Sequence, residues 1–562
     1  MPTSQSIPYK KWILWTLGLG IGLGLIVLLA AWGLPIYFRN ELDNALKKAV
    51  VNASDSLYRI NYESIYLNIP LGNAEVSNVK LTSDSTVYQQ LVAVKKAPNN
   101  LIELEADKVS LSGVSLLRLL IFKELAINTI LIDKPVAHIA HNSRPYNKGG
   151  PTKSPYELIN KVLKSIRIDK ISLNNVNFTY INYSDSLQQP QKSSLKKLYL
   201  DVSDFLLDEN SDKDSSRILY SQNIALRAEG LELPSGNSLY IFRMAELRFS
   251  TRDSTLQVKN VHYQPLLPKL EFSKKLGWAA DRLDLEFNDI KATQVDTKRF
   301  LVDRQLFAQN LYIDAGLMDI FKDKRYRVIT KDKMGEYPHQ LLLKSKFRIG
   351  FDKVHLKSTR VKYGEMNDKT NRSGAVFFDG THGTITNLTN DPEWIRKNPN
   401  CRVDVQTRFM NQGALHAYFD FDLAAKNGAF RCGGTMKNFE MPRLNDVTEA
   451  LAKASVTSGK VSMLDFDIQA TNTRAVINTS LHYDDLKVDV LKVDKKTGEL
   501  KRRWFLSQVA NNVVLNENNP RGNRPARIGK AVIERENDES FFNLIWHSLF
   551  VSIKHITIGR GD

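Results

Sequence analysis

Three short motifs carry residue types that could perform acyl transfer through an activated serine. Ser193–Lys196 reads S-x-x-K, Ser221–Asn223 reads S-x-N and Lys496–Gly498 reads K-T-G, in the chain order of serine enzymes that open β-lactams. That chemistry needs the serine at the start of a buried helix. Ser193 instead follows a polar Gln-Gln-Pro-Gln-Lys run, and Lys496 lies in a turn rich in Lys and Asp. We therefore expect no catalytic residues and no enzymatic activity.

Metal and thiol chemistry is equally sparse. The chain has ten histidines and two cysteines, with no C-x-x-C and no H-E-x-x-H. His138 and His141 lie on an extended segment without a nearby carboxylate, so we predict no metal site and no cofactor. Cys401 and Cys432 lie on alternate strands of a predicted meander, which places them about 9–10 Å apart. Because a disulfide needs a closer approach, we expect two free thiols.

Composition narrows the class of protein. The chain has 562 residues, 42% of them hydrophobic, which is enough for a buried core and excludes wholesale disorder. Its 78 Lys and Arg exceed its 61 Asp and Glu, giving a net charge of +17. Such a charge suits nucleic acid, an anionic membrane or simple solubility. We expect no nucleic acid, because the basic surplus sits partly in one loop and is otherwise spread thinly.

A membrane anchor is predicted near the N-terminus. Trp12–Phe38 contains 27 residues without a charge, more than the roughly 20 that span a bilayer core. A secretory signal has an apolar region of only about 7–15 residues, so an uncleaved anchor is the better interpretation. Basic residues flank both ends of the run, and their count does not fix the orientation. The short tail without acidic residues favours a cytoplasmic tail and an exported body.

Most of the remaining sequence alternates apolar and polar residues, which predicts β-strands with one apolar face. The clearest strings are Leu104–Leu116, Ile166–Tyr180, Leu283–Ala292 and Phe347–Leu356. Their recurrent two-residue slips indicate bulges. About one strand in every 18–20 residues over 64–494 gives roughly twenty to twenty-five strands. We predict a mainly β fold, an elongated, curled antiparallel sheet forming a trough. Two or three independent β-sandwiches remain the alternative.

A few helices punctuate this pattern. Apolar residues at helical spacing predict short helices over 42–50 and over 156–166, the second capped by Ser154 and Pro155. From Ala414 onward the regular turns predict an antiparallel meander. The expected organisation is a cytoplasmic tail (1–11), an anchor (12–38), an N-terminal β region with short helices (39–165), central β repeats (166–340), a C-terminal meander (341–493), a basic loop region (494–537) and an amphipathic helix (538–558).

Two stretches of sequence resemble a known family. One is the anchor, a helix and the strand Glu103–Gly113, followed by Glu124–Pro135, a strand ending in Asp-x-Pro. The other comprises Gly374–Thr389, Gly428–Asn438 and Ser458–Val488. Both resemble the AsmA-like family of membrane-anchored envelope proteins, which includes TamB. The resemblance implies a β-groove with a hydrophobic interior and transport of phospholipid or another envelope lipid between the two membranes, in outer-membrane biogenesis. It also implies an inner-membrane protein with a single span and a periplasmic body.

On this interpretation acyl chains would partition into an apolar groove while head groups stay in water. The candidate groove residues alternate along one strand: Ile166, Ile168, Ile171, Leu173, Val176 and Phe178. The opposite parity of that strand is the alternative lining. A structural or assembly factor, built of β-sandwiches that bind an envelope protein without lipid cargo, is the alternative function.

The C-terminal region predicts a second membrane contact. Residues 487–530 carry 11 Lys and Arg against four Asp and Glu, which would attract anionic head groups. The helix that follows has an aromatic-rich face suited to a membrane interface or to closing one end of a groove. The candidate contact residues are Phe542, Ile545, Trp546, Leu549, Phe550, Ile553, Lys501, Arg502 and Arg503.

Overall fold

The computed structural model describes residues 47–48, 50–52, 54–144, 146, 154–183, 190–235, 237–494 and 499–558. The anchor predicted over 12–38 and most of the helix predicted over 42–50 lie outside these residues. Within them, no helix is both long and apolar enough to cross a membrane.

The fold of the described residues is mainly β, and the 22 strands found among them belong to a mixed sheet. The strands that begin and end within 64–494 number 19 among the described residues, slightly fewer than predicted. Individual strands are longer than we assumed; Arg474–Val493 alone has 20 residues. The chain divides into two compact units, 1–259 with 297–303, and 260–296 with 304–562.

Unit 1 contains strands β1 to β10, and each strand pairs with a neighbour in the sequence or one strand beyond. Their bounds are β1 Tyr58–Asn61, β2 Ser64–Asn68, β3 Asn73–Ser83, β4 Asn100–Ser112, β5 Glu124–Asp133, β6 Val136–His141, β7 Ser165–Asn182, β8 Gln191–Leu207, β9 Asn223–Pro234 and β10 Tyr240–Ser250. Strand β11, Thr255–Pro265, contains the division between the units.

The prediction of a purely antiparallel sheet is wrong at β7, which pairs parallel with both β5 and β6. Parallel neighbours need a crossover of a dozen or more residues, and 142–164 supplies it. The sequence predicts a polar loop over 142–153 and a helix after it, but not the parallel pairing that they connect. Strands β5 and β6 both lie between β4 and β7, as one strand broken at Lys134 and Pro135. Proline has no N–H to donate, which explains a break at this point.

Two α-helices of unit 1 are α1 at Ser85–Ala93 and α2 at Pro155–Ile159; the described residues within 47–52 and the turn at 118–122 are also helical. Ser154 caps α2, and Glu157 completes the capping box, as the sequence leads one to expect. The predicted extent of this helix to residue 166 is wrong, because alternation begins at Ser165 and β7 takes over. The predicted slips are confirmed: the pairing of β7 with β8 shifts between Leu173 and Val176, where Asn175 has a left-handed φ of 56°.

Unit 2 contains strands β12 to β22. Their bounds are β12 Asp281–Val295, β13 Leu306–Asp323, β14 Ile349–Met366, β15 Ser373–Thr389, β16 Asn400–Phe409, β17 Gly413–Asp422, β18 Phe430–Glu440, β19 Ala454–Ala470, β20 Arg474–Val493, β21 Leu500–Arg502 and β22 Ile528–Glu534. The predicted meander from Ala414 is confirmed, because β17 to β20 pair antiparallel in sequence order. Strands β13 and β14 pair parallel, and 324–348 forms the crossover.

Unit 2 has six α-helices among its described residues, of which the last is the longest. They are α3 Lys269–Leu276, α4 Pro338–Leu343, α5 Pro392–Lys397, α6 Asn445–Val447, α7 Trp504–Val509 and α8 Phe541–Ile558. Small residues let helix α8 approach β22 closely. A Cβ on Gly529 of β22 would lie 2.3 Å from the carbonyl oxygen of Ser552, so the glycine permits this close approach.

Candidate functional site

The six residues predicted to line a groove lie on β7, within the closed interior of unit 1. Their exposed fractions run from 0% for Ile168 to 9% for Phe178. Most of them belong to a core that also contains Val50, Leu119 and Leu163, side chains from segments outside the sheet. The alternating positions on the other face, such as Arg167 and Asp169, are exposed and polar. At these positions, therefore, neither face of strand β7 presents an apolar side chain to solvent.

A different apolar surface lies on β12, β13 and β14 of unit 2. We call it the open apolar face, because all of its side chains are half-buried rather than enclosed. Its members are Leu285, Phe287, Ile290, Ile313, Met318, Leu356 and Val361.

Strand register places the open apolar face on one side of the sheet. Met318 lies between Leu285 and Val361, and Val361 is in turn opposite Phe378 of β15. A second row runs through Ile290, Ile313 and Leu356. Directly opposed residues in a sheet point to the same side. Each row is therefore continuous across the strands.

The two rows share a face even though the apolar positions change parity between them. The row through Met318 continues to Phe409 of β16, and the row through Ala292, Leu311 and Val354 continues to Ile385 and Val403. Phe409 and Val403 are six residues apart on a regular strand, so they point to the same side. The bulges near Ala315 and Ser358, where φ is 48° and 53°, absorb the change of parity.

Farther along the sheet, the same face is covered by α8. Phe541 packs against Phe419, Phe421 and Phe430, with ring centroids 5.0–6.0 Å apart. Trp546 lies 6.3 Å from Phe409 and remains 43% exposed. One face of unit 2 is thus enclosed beneath α8 and half-exposed over β12 to β14.

The other side of β12 to β14 is polar. Lys269 of α3 approaches Asp319 at 2.6 Å, Lys357 approaches Asp314 at 3.7 Å, and Tyr312 stacks on His355 with the ring centroids 4.6 Å apart. Lys357 and Asp314 are exposed to water, while Asp319 is partly covered by its contact with Lys269. The sheet here is amphipathic, as a strand with alternating residues must be.

A glycine sets the contour of the open apolar face. A Cβ on Gly316 would come within 2.9 Å of the Phe287 ring and 3.0 Å of the Thr359 hydroxyl. The Phe287 ring therefore lies across the backbone of β13 at a point where any larger residue would push it away. The result is a locally flat apolar surface at the centre of this face.

The predicted membrane-contact residues divide into two groups. On α8, Phe542, Trp546 and Phe550 are exposed, at four-residue spacing. The remaining three, Ile545, Leu549 and Ile553, pack against the two buried cores of unit 2. Half of the predicted aromatic face thus faces solvent and half holds the helix on the sheet.

Ion pairs occupy part of the predicted basic cluster. Lys501 lies 2.6 Å from Asp494 and Arg502 lies 2.8 Å from Asp489. Arg503 is exposed at the start of α7, beside Trp504, which is 64% exposed. The two ion pairs reduce the charge that this segment can offer to an anionic surface.

Ser193 does not have the local structure that the serine motif requires. Ser193 lies on β8 opposite Tyr180, on an extended strand rather than at a helix start, which corrects the loop we assumed there. Lys496–Gly498 lies outside the described residues. The only His and carboxylate cluster found in the described chain is His262 with Asp284 and Glu286. His262 hydrogen-bonds Asp284 at 2.8 Å, and the Arg282 guanidinium lies 3.4 Å from the same carboxylate, a charge that disfavours a bound cation.

Both cysteines are free and buried, as predicted. Burial raises the pKa of the Cys401 thiol, and of the Cys432 thiol, to about 12. At neutral pH both thiols are protonated and poor nucleophiles. They pack in the core beneath α8 and take no part in the open apolar face.

The open apolar face was missed because its strands look like the others in sequence. The string Leu283–Ala292 alternates as clearly as Ile166–Tyr180 does. Alternation identifies an apolar face but carries no information on what covers it. In comparison with known proteins, no family model and no curated protein matches the chain.

Proposed function

We propose that this chain is an AsmA-like envelope protein that binds the acyl chains of phospholipid, or of another envelope lipid, on its open apolar face. Residues 12–38 would anchor it in the inner membrane, with the body in the periplasm, and the cargo would move toward the outer membrane. The observation that carries the proposal is the half-buried apolar side of β12 to β14, which continues into the buried face beneath α8.

The dimensions of this face suit an acyl chain. From Leu283 to Ala292 a strand advances about 30 Å at about 3.3 Å per residue. That length equals the hydrocarbon thickness of a whole bilayer, about 30 Å, so it accommodates the chain of one leaflet. Burying each methylene there contributes about 0.8 kcal/mol. Binding by partition alone requires no catalytic group.

Electrostatics keep the head group at the margin. Charged side chains lie on the opposite side of the same strands, as at Asp314, Asp319 and Lys357. Removing a charged head group from water onto the apolar side would cost several kcal/mol, so it stays in solvent. Trp546 marks the boundary where α8 begins to enclose the face, and it sets one end of the binding surface.

Site-specific photocrosslinking in cells tests this proposal on the full chain. We expect p-benzoylphenylalanine in place of Met318 or Ile313 to form adducts whose mass identifies an acyl lipid. The matched control is the same residue in place of Tyr312, which is exposed on the polar side of the same strand. Lipid adducts should be absent or several-fold fewer at this control.

The same experiment separates lipid transport from the assembly-factor function. Protein adducts alone at Met318 and Ile313 would contradict the lipid proposal and favour an envelope protein as the occupant. Equal lipid labelling at Tyr312 would show that the contact is non-specific. Lack of any adduct at either position, in a chain that folds and reaches the membrane, would refute both a lipid and a protein as the occupant of this face.

A further inference from the structure

An exposed apolar turn connects β4 and β5 in unit 1. Leu117, Leu120, Ile121 and Phe122 are each 51–66% exposed, although they follow one another in a single helical turn. Leu119 between them is 7% exposed and packs in the core of the unit. The turn is therefore held firmly by one side chain while its neighbours project into solvent. Scattered apolar residues on a surface are ordinary, but four in one turn form a patch.

Two further segments bring exposed apolar side chains to this turn. The Val114 N–H donates to the Gly72 carbonyl at 2.9 Å, which places Leu71, 65% exposed, beside the start of the turn. The Lys164 N–H donates to the Lys123 carbonyl at 2.8 Å, which places Val162, 53% exposed, beside its end. We call this surface the apolar tip; its members are Leu71, Leu117, Leu120, Ile121, Phe122 and Val162.

Basic side chains surround the apolar tip. Arg118 and Lys123 are exposed within and after the turn, and Lys161 and Lys164 are exposed on the segment that contains Val162. The nearest acidic partner is Glu124, 4.0 Å from Arg118 and too exposed to neutralise the group. An apolar centre with a cationic rim matches the boundary between acyl chains and anionic head groups.

The segment predicted to span a membrane lies close in sequence to the core that holds the apolar tip. The uncharged run ends at Phe38, nine residues before Lys47, so an extended chain spans at most about 30 Å between them. Val50, three residues after Lys47, packs in the same core as Leu119. A membrane-spanning segment at 12–38 would therefore hold unit 1 within reach of the bilayer surface.

We propose that the apolar tip inserts into the interface of a bilayer containing anionic phospholipid, and so forms a second membrane contact beside the predicted anchor. The occupant is the lipid surface itself, and the tip fixes how unit 1 stands on the membrane. This contact does not depend on lipid binding at the open apolar face, so photocrosslinking at Met318 and the experiment below can fail independently.

Spin labelling of the full chain in vesicles tests the contact. A nitroxide on Ile121→Cys reports immersion, since Cys401 and Cys432 are buried and leave a silent background. In vesicles of phosphatidylethanolamine and phosphatidylglycerol, we expect this label to be several-fold more accessible to oxygen than to a water-soluble nickel chelate. The matched control is Ile329→Cys on an exposed loop of unit 2, for which the nickel chelate should have the greater access.

A charge reversal tests the cationic rim. With Arg118→Glu and Lys123→Glu together, the ratio of oxygen to nickel access at Ile121→Cys should fall several-fold toward that of the control label. A label at Ile121→Cys that behaves like the control in the unreversed chain overturns the proposal. A label shielded from both reagents also overturns it, because that result shows a protein occupant. Hydrogen exchange of β4 and β5 confirms that each variant is folded.

Discussion

Strands β7 and β13 have nearly the same sequence pattern and very different surroundings. Ile171 of β7 is 2% exposed, in a core closed by side chains that come from outside the sheet. Ile313 of β13 occupies an equivalent apolar position and stays half-buried. Both strands satisfy the same alternation, yet one apolar face contributes to stability and the other remains accessible. Cover, rather than polarity, separates a buried core from a half-exposed apolar face.

The difference originates in the connections between strands. The crossover before β7 folds back with α2 and Leu163 onto the sheet, where Tyr156 and Ile159 pack against the core of unit 1. The crossover before β14 brings α4 to the core beneath α8, far along the sheet from β13. The crossover before β7 thus covers the apolar face of β7, while the crossover before β14 leaves the apolar face of β13 uncovered.

The largest expected effect tests this comparison directly. Ile171→Asp places an unpaired charge in a closed core and should destabilise unit 1 by about 4 kcal/mol or more. Ile313→Asp leaves the carboxylate in contact with water and should cost only about 2 kcal/mol, mainly from lost apolar burial. Hydrogen exchange with mass spectrometry, read separately over β7 and β13, measures both changes in the full chain.

Tyr312→Asp serves as the control for the second variant, because it puts the same charge on the polar side of β13. Only Ile313→Asp should also abolish lipid photocrosslinking at Met318. Comparable destabilisation by Ile171→Asp and Ile313→Asp would show that the two faces are equally enclosed, and the contrast between them would be lost.

The second prediction concerns the enclosed face beneath α8. His339 of α4 is 4% exposed, stacks near Phe421 and has no partner for either ring nitrogen. Burial lowers the pKa of His339 to about 4. The unfolded chain binds a proton near pH 6.5 and the folded chain does not, so stability is complete above pH 6.5 and falls as the pH drops toward 4.

The expected loss from this histidine between pH 6.5 and 4 is about 3 kcal/mol. Urea unfolding across this range, compared between the natural chain and His339→Phe, isolates it from the titration of carboxylates, since both chains share those groups. The phenylalanine variant should lose about 3 kcal/mol less over the range. Parallel pH profiles of the two chains would mean that His339 is reached by water and that α8 does not enclose this face.

Much of the fold could be predicted from the sequence, because strand formation depends on local alternation. The strands around Ile166–Tyr180 and the meander after Ala414 follow from it, as does the slip at Asn175. The parallel pairings could not be predicted. The loop and helix within 142–164 could connect parallel or antiparallel strands, and the difference lies in a long-range pairing.

The candidate site was harder to predict from the sequence than the fold. Whether Ile171 or Ile313 is covered depends on side chains from distant segments, such as Val50 and Leu119 above β7. The sequence of either strand does not indicate whether other segments cover it. The apolar tip does have a local signal, the run Leu116–Phe122 with one charge among six apolar residues. The structure adds that Leu119 alone of that run is deeply buried.

Thiol labelling compares enclosed and open positions within unit 2. The cysteine variant that it needs should cause the smallest change in stability of those predicted. Cys401 and Cys432 are 3% and 1% exposed, and burial raises the pKa of each thiol to about 12. Neither should react with a maleimide in the folded chain at neutral pH. Ile313→Cys should react readily at a stability cost of about 1 kcal/mol, because a half-buried side chain loses little packing.

Rates measured with a maleimide that carries an acyl tail sharpen the comparison. If the open apolar face binds acyl chains, the tail concentrates the reagent at Ile313→Cys. The labelling rate should then be several-fold higher than the rate with a short polar maleimide. Tyr312→Cys, on the polar side, should show no such preference. An equal preference at both positions would mean that the two sides of β13 present the same surface to the reagent. Lack of cover over Ile313 would then not explain how β13 differs from the closed core around β7.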